Sequence, residues 1–193
     1  MNTETRGPWL ETFSGVHFHP LDPHPEDVRI EDIAHALSNV CRYAGHSRFF
    51  YSVAEHSVYV AGLVRPELRL AALVHDGGEA YTGDWPRPLK HPGGGEGLEA
   101  TRAARWYRWI ENKNRAAIHQ ALGLDWPLEK NDGLEIDRAD FRVLSTEARD
   151  VMSGGADWGM ELAPVPSLRI AGWSPKHAEG RFLAAFKAMR GTR

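Results

Sequence analysis

His75 and Asp76 are adjacent in the chain; His56 precedes them and Asp140 follows. Two imidazole nitrogens and two carboxylates make a suitable donor set for one divalent transition metal of the Co, Mn, Zn, Fe or Ni group, and a poor one for Ca²⁺, which prefers oxygen alone. An ion of that kind lowers the pKa of water and neutralises charge on a phosphoryl oxygen, so the chemistry indicated is metal-assisted hydrolysis. Glu79, three residues past Asp76 and beyond Gly77 and Gly78, whose backbone freedom permits a sharp turn, could reach the attacking water; taken alone it reads as a solvated loop acid. Arg42 can offer a phosphate two parallel hydrogen bonds, where a lysine would act as a point charge; the alternative for it is a surface ion pair.

Four ligands far apart in sequence need elements that bring them together, and the apolar spacing supplies helices. Ser52 and Glu55 have capping-box spacing ahead of Val58, Val60, Leu63 and Val64, so a helix starts at Ser52. Pro66 suits the first turn of a second helix carrying Leu70, Leu73 and Val74, with the break near Arg65. His56 lies about nine residues before that break and His75 about ten after it; in an antiparallel hairpin rising ~1.5 Å per residue, the two imidazoles reach nearly the same height. For the last ligand, Asp137 and Asp140 compete on a helix predicted over 134–152. At about 100° per residue, Asp140 falls inside the apolar stripe of Ile136, Val143, Leu144 and Val151, while Asp137 lies at its edge. Asp140 is therefore chosen. Glu147, two turns on, shares that stripe, a costly place for a carboxylate without a partner.

These segments also carry a family resemblance. The run from Tyr51 through His56 to Ser57, the run from Leu73 through His75, Asp76, Glu79, Thr82, Gly83, Asp84, Pro86 and Pro88 to Lys90, and Ala139-Asp140 together resemble the HD-superfamily phosphohydrolases. Within them the chain is most similar to bacterial 5'-deoxynucleotidases and shorter phage-type relatives, some of which are deoxynucleoside triphosphohydrolases. The resemblance spans roughly residues 29–152. It implies an all-α helical bundle around a single metal held by His56, His75, Asp76 and Asp140, with Glu79 and Arg42 as the catalytic pair. It also implies that Tyr43 lies beside the sugar and that Asp84 and Pro86 belong to a loop closing on deoxyribose. Trp85 and the Gly77-Gly78 pair depart from the family pattern. Thr82, Trp85, His46 and Lys90 complete the expected substrate contacts, Lys90 as a cation for the β and γ groups of a triphosphate. The substrate expected first is a deoxynucleoside 5'-monophosphate, giving deoxynucleoside and phosphate. The alternatives are a dNTP triphosphohydrolase, with dATP the preferred substrate, and a nucleotide-binding regulator without turnover.

Composition sets the outer limits. The chain has 193 residues, 42% of them hydrophobic, enough for one sizeable core. The expected layout is an irregular N-terminal arm over 1–28 and one HD-type domain over 29–193. A net charge of −3 without a long basic run argues against duplex nucleic acid as a partner and leaves small nucleotides compatible. Cys41 is the only cysteine, no leader-like segment opens the chain, and no apolar stretch is long enough for a bilayer, so the expectation is a cytoplasmic homo-oligomer with no disulfide and no membrane contact. Gly15 to Pro20 contains His17 and His19, which read as solvated or structural rather than metal-binding, and His35 reads as packed against a neighbour. The glycines of 92–97 favour a loop, a lid or a connector. A long helix over 98–122 displays Arg102, Arg105, Arg108, Lys113 and Arg115, chiefly a charged surface, and Ser174-Pro175 opens a last helix with Phe182, Ala185, Phe186 and Met189.

Overall fold

A computed structural model describes residues 6–91, 98–154 and 157–191, with backbone alone at 98–101. Its regular elements are a two-residue pair of strands, β1 (Leu10–Glu11) and β2 (His17–Phe18), and the helices α1 (Ile30–Asn39), α2 (Val53–Ala61), α3 (Arg69–Leu73), α4 (Glu79–Thr82), α5 (Arg87–Lys90), α6 (Leu98–Leu122), α7 (Lys130–Asp150) and α8 (Pro175–Arg190). The expected all-α architecture is present. The 92–97 segment, expected as a lid or connector, lies outside the described residues.

Helix α2 occupies the centre, packed against α1, α3, α7 and α8. Its start follows the cap reading: the Ser52 hydroxyl accepts from the Glu55 backbone N–H at 3.2 Å. The reciprocal half of the capping box is absent. Glu55 is buried and its carboxylate accepts instead from the Tyr59 hydroxyl at 2.9 Å and the Trp173 backbone N–H at 2.7 Å. A residue expected to close its own helix thus ties α2 to the segment leading into α8.

The predicted second helix is shorter than expected. A 3-10 turn at Pro66–Leu68 leads into α3, which ends at Leu73, and His75 and Asp76 lie in the turn between α3 and α4 rather than in a helix. Helix α7 begins a turn earlier than its apolar stripe, because Lys130 to Gly133 extend it with a polar face that periodicity does not mark. Ser174 caps α8 by accepting from the His177 N–H, and Phe182 of α8 is fully buried.

The core gathers Phe18, Ile33, Leu37, Leu73, Ile118, Val143 and Phe182. The arm is partly regular: β1 and β2 pair antiparallel with Leu10 opposite Phe18, and Phe18 stacks on Tyr81 of α4 at 3.6 Å. Its histidines serve the arm itself, His17 stacked on Trp9 and His19 at 3.1 Å from the Gly7 carbonyl. His35 stacks on Phe13 and pairs with Glu179 at 3.2 Å.

Candidate metal centre

The α2–α3 hairpin brings the two imidazoles together as the register argument required: His56 Nε2 and His75 Nε2 are 3.4 Å apart. Asp140 Oδ1, from α7, lies 3.1 Å from His56 Nε2, and Asp76 Oδ2 lies 3.2 Å from His75 Nε2 and 3.6 Å from His56 Nε2. One donor atom from each of His56, His75 and Asp140 falls within 4.8 Å of the others. Donors bound to one ion at about 2.1 Å are roughly 3.0–3.4 Å apart along the edges of an octahedron or tetrahedron. The nearest separations fit that range.

The far side of each ring sets its tautomer. His75 Nδ1 is 2.7 Å from the Ala72 carbonyl, and His56 Nδ1 is 2.7 Å from Glu147 Oε1. A carbonyl and an ionised carboxylate only accept, so both rings carry their hydrogen on Nδ1 and direct Nε2 at the shared space. Two nitrogen lone pairs and two carboxylates facing one another repel unless a cation lies between them. Burial and Arg42 push the His56 pKa down, but Glu147 and the bonds to Asp140 and Glu147 prevail and raise it to about 9, the direction expected where the surroundings attract positive charge. Burial opposes ionisation of Asp76 as well, yet His75 and His56 hold its carboxyl well below the usual range. These residues fit a divalent ion.

Glu79 is buried and paired with Lys90, and its Oε2 has no hydrogen-bond partner among the described residues. Burial and then Asp76 raise its pKa, against the pull of Lys90. Lys90 does not extend into open space as a triphosphate contact would: besides Glu79 it faces Glu111 at 3.4 Å and Asp84 at 3.8 Å. Burial likewise raises the Asp84 carboxyl. Arg42 is also engaged, with Nη2 at 3.2 Å from Glu147 Oε2 and Nη1 at 3.7 Å from Asp76 Oδ2.

The remaining expected contacts divide. Tyr43 is near the centre, its hydroxyl donating to Glu147 and its ring edge-on to Trp158 at 5.8 Å. Thr82 and Trp85 line a different feature, an aromatic groove of about 350 Å³ shared with Trp9, Trp106 and Tyr107. Trp85 stacks on Tyr107 at 4.4 Å, and the Tyr107 hydroxyl donates to the Gly83 carbonyl at 2.8 Å. Pro86 caps α5, which carries Lys90. His46 is exposed, and its backbone N–H donates to the Tyr43 carbonyl at 3.0 Å. Sequence reasoning assigned no role to Glu147, Tyr51 or Glu111. Only Glu147 carried a signal, as an acid on the apolar face of α7.

The molecule is thus a mostly helical protein with a cluster of two buried histidines and two partly exposed carboxylates able to hold a metal. The chain is 37% identical over 182 residues to the uncharacterized protein YfdR of Escherichia coli, spanning 92% of this chain and 93% of that protein, and it belongs to the YfdR family. An uncharacterized protein of Rhodobacter capsulatus is also 37% identical, over 125 residues that make up 60% of this chain and 59% of that protein. No family model matches the chain.

Proposed function

We propose that this protein is a metal-dependent phosphohydrolase of the HD type that cleaves 2'-deoxynucleoside 5'-monophosphates to deoxynucleoside and phosphate. The observation that carries the reading is the convergence of His56 Nε2, His75 Nε2, Asp140 Oδ1 and Asp76 Oδ2 on one small space, with a buried acid, Glu79, close by in the chain. His56, His75, Asp76 and Asp140 would hold the ion. When bound, the ion supplies positive charge that eases ionisation of water and neutralises a phosphoryl oxygen.

The chain's own groups do the rest. Glu79 takes the proton of the attacking water; burial and Asp76 raise its pKa, and Lys90, fixed against it, pulls toward the ionised form that acts as base, as a bound cation would. Arg42, with one guanidinium nitrogen toward Glu147 and another toward Asp76, would hold the phosphate. A monophosphate is favoured over a triphosphate because Lys90 faces three carboxylates, a setting that repels β and γ phosphates.

The test is phosphate release from dAMP, AMP and dATP with Co²⁺ or Mn²⁺ present and after chelation. dAMP is expected to be hydrolysed, AMP poorly, and chelation to abolish both. Glu79→Ala is expected to keep the ion and lose roughly 10²–10⁴-fold in turnover. Binding of dAMP without turnover under any metal would replace this reading with a nucleotide-binding role.

A further inference from the structure

Glu147 is fully buried, belongs to no expected ligand set, and receives four hydrogen bonds on its two oxygens. Oε1 accepts from His56 Nδ1 and from the Tyr51 hydroxyl, both at 2.7 Å. Oε2 accepts from Arg42 Nη2 at 3.2 Å and from the Tyr43 hydroxyl. A buried carboxylate is tolerated only when its lone pairs are filled, and here they are filled by groups from three places: α2, the strand-like stretch just before it, and the turn at Arg42–Gly45.

Two features point beyond packing. Helix α7 holds one imidazole at both nitrogens: Asp140 faces His56 Nε2 at 3.1 Å, and Glu147, seven residues along the same helix, takes His56 Nδ1. Second, Tyr43 and Ala44 adopt left-handed backbone (φ 57° and 50°), which non-glycine residues rarely do. Held there, the turn delivers the Arg42 guanidinium and the Tyr43 hydroxyl to the same oxygen. Strained backbone persists where surrounding contacts over-determine it, and those contacts converge on Glu147.

We infer that Glu147 is the positioning residue of the metal centre: it fixes His56 with Nε2 directed at the ion and fastens the Arg42–Tyr43 turn to the same carboxylate. The inference rests on the metal-centre reading above and adds that one buried acid sets both metal affinity and the placement of Arg42. A carboxylate behind a ligating histidine orients the ring and raises its basicity, and its loss ordinarily costs 10–100-fold in metal affinity.

Co²⁺ affinity by calorimetry and the visible spectrum of the Co²⁺ protein, on wild type, Glu147→Gln and Glu147→Asp, provide the test. Gln keeps the volume and removes the charge; Asp keeps the charge facing Arg42 but withdraws from His56 by one methylene. Variants whose circular dichroism matches wild type are expected to bind Co²⁺ roughly 10–100-fold more weakly with an altered spectrum. Unchanged affinity and spectrum in either folded variant would overturn the inference. Should both fail to fold, nitrogen-resolved NMR of the Zn²⁺-loaded wild type decides: a His56 ring protonated on Nδ1 is expected, and one protonated on Nε2 would overturn it. A wild type that binds neither Co²⁺ nor Zn²⁺ would instead end the metal-centre reading itself.

Discussion

Lys90 shows how far a side chain's role depends on its neighbours. From sequence it is a cation beside a Pro-Pro loop, available to a polyphosphate; in the fold it is the partner of Glu79 and faces Asp84 and Glu111. Removing it takes away the cation that pulls the raised Glu79 pKa down, so the buried carboxyl holds a proton more firmly and serves less well as a base. Lys90→Met is therefore expected to slow dAMP and dATP turnover alike, by up to roughly 10²-fold, the lower end of a general-base contribution. Parallel assays of phosphate and triphosphate release check this. A loss confined to dATP would return Lys90 to the triphosphate role.

At the scale of elements, the turn between α3 and α4 decides where His75, Asp76 and Glu79 point. Its Gly77-Gly78 pair reads from sequence as a source of backbone freedom, yet neither glycine has positive φ. Their missing side chains serve close packing. A Cβ on Gly77 would lie 3.0 Å from the Val74 carbonyl and 3.1 Å from Ile118 Cδ1; one on Gly78 would lie 3.3 Å from the Glu111 carbonyl of α6. Gly77→Ala is expected to cost about 1–3 kcal/mol, as overpacking does, and to weaken metal binding by displacing His75 and Asp76. Urea unfolding and Co²⁺ titration of the same protein measure both effects. Stability and affinity equal to wild type would show that α6 yields to the added methyl.

Across the whole molecule, the arm and the site are joined. Phe18 is fully buried in the core and stacks on Tyr81, which shares the four-residue helix α4 with Glu79. Phe18→Ala is expected to destabilise the fold by about 3–5 kcal/mol. Because α4 is too short to hold itself, exchange protection of its amides is expected to fall along with global stability. Hydrogen exchange followed by mass spectrometry resolves the two; full protection of α4 in the variant would separate arm from site. No helix among the described residues is long and apolar enough to cross a membrane.

Periodicity in the sequence was enough to predict the α2–α3 hairpin and to choose Asp140 over Asp137, because both depend on helical rise and rotation, which are fixed by local geometry. It placed His56 and His75 at one height, and their Nε2 atoms meet at 3.4 Å. Charge partnerships were not legible in the same way. From sequence Glu55 reads as half of a capping box, Glu79 as the acid that handles water and Glu147 as an acid on an apolar stripe; in the fold one bonds the Trp173 backbone, one pairs with Lys90 and one gathers Arg42, Tyr43, Tyr51 and His56. The reason is physical: helical position follows from nearest neighbours along the chain, whereas a buried carboxylate is satisfied by whichever donors the packing of distant segments brings within hydrogen-bond reach, and only the tertiary structure decides which those are.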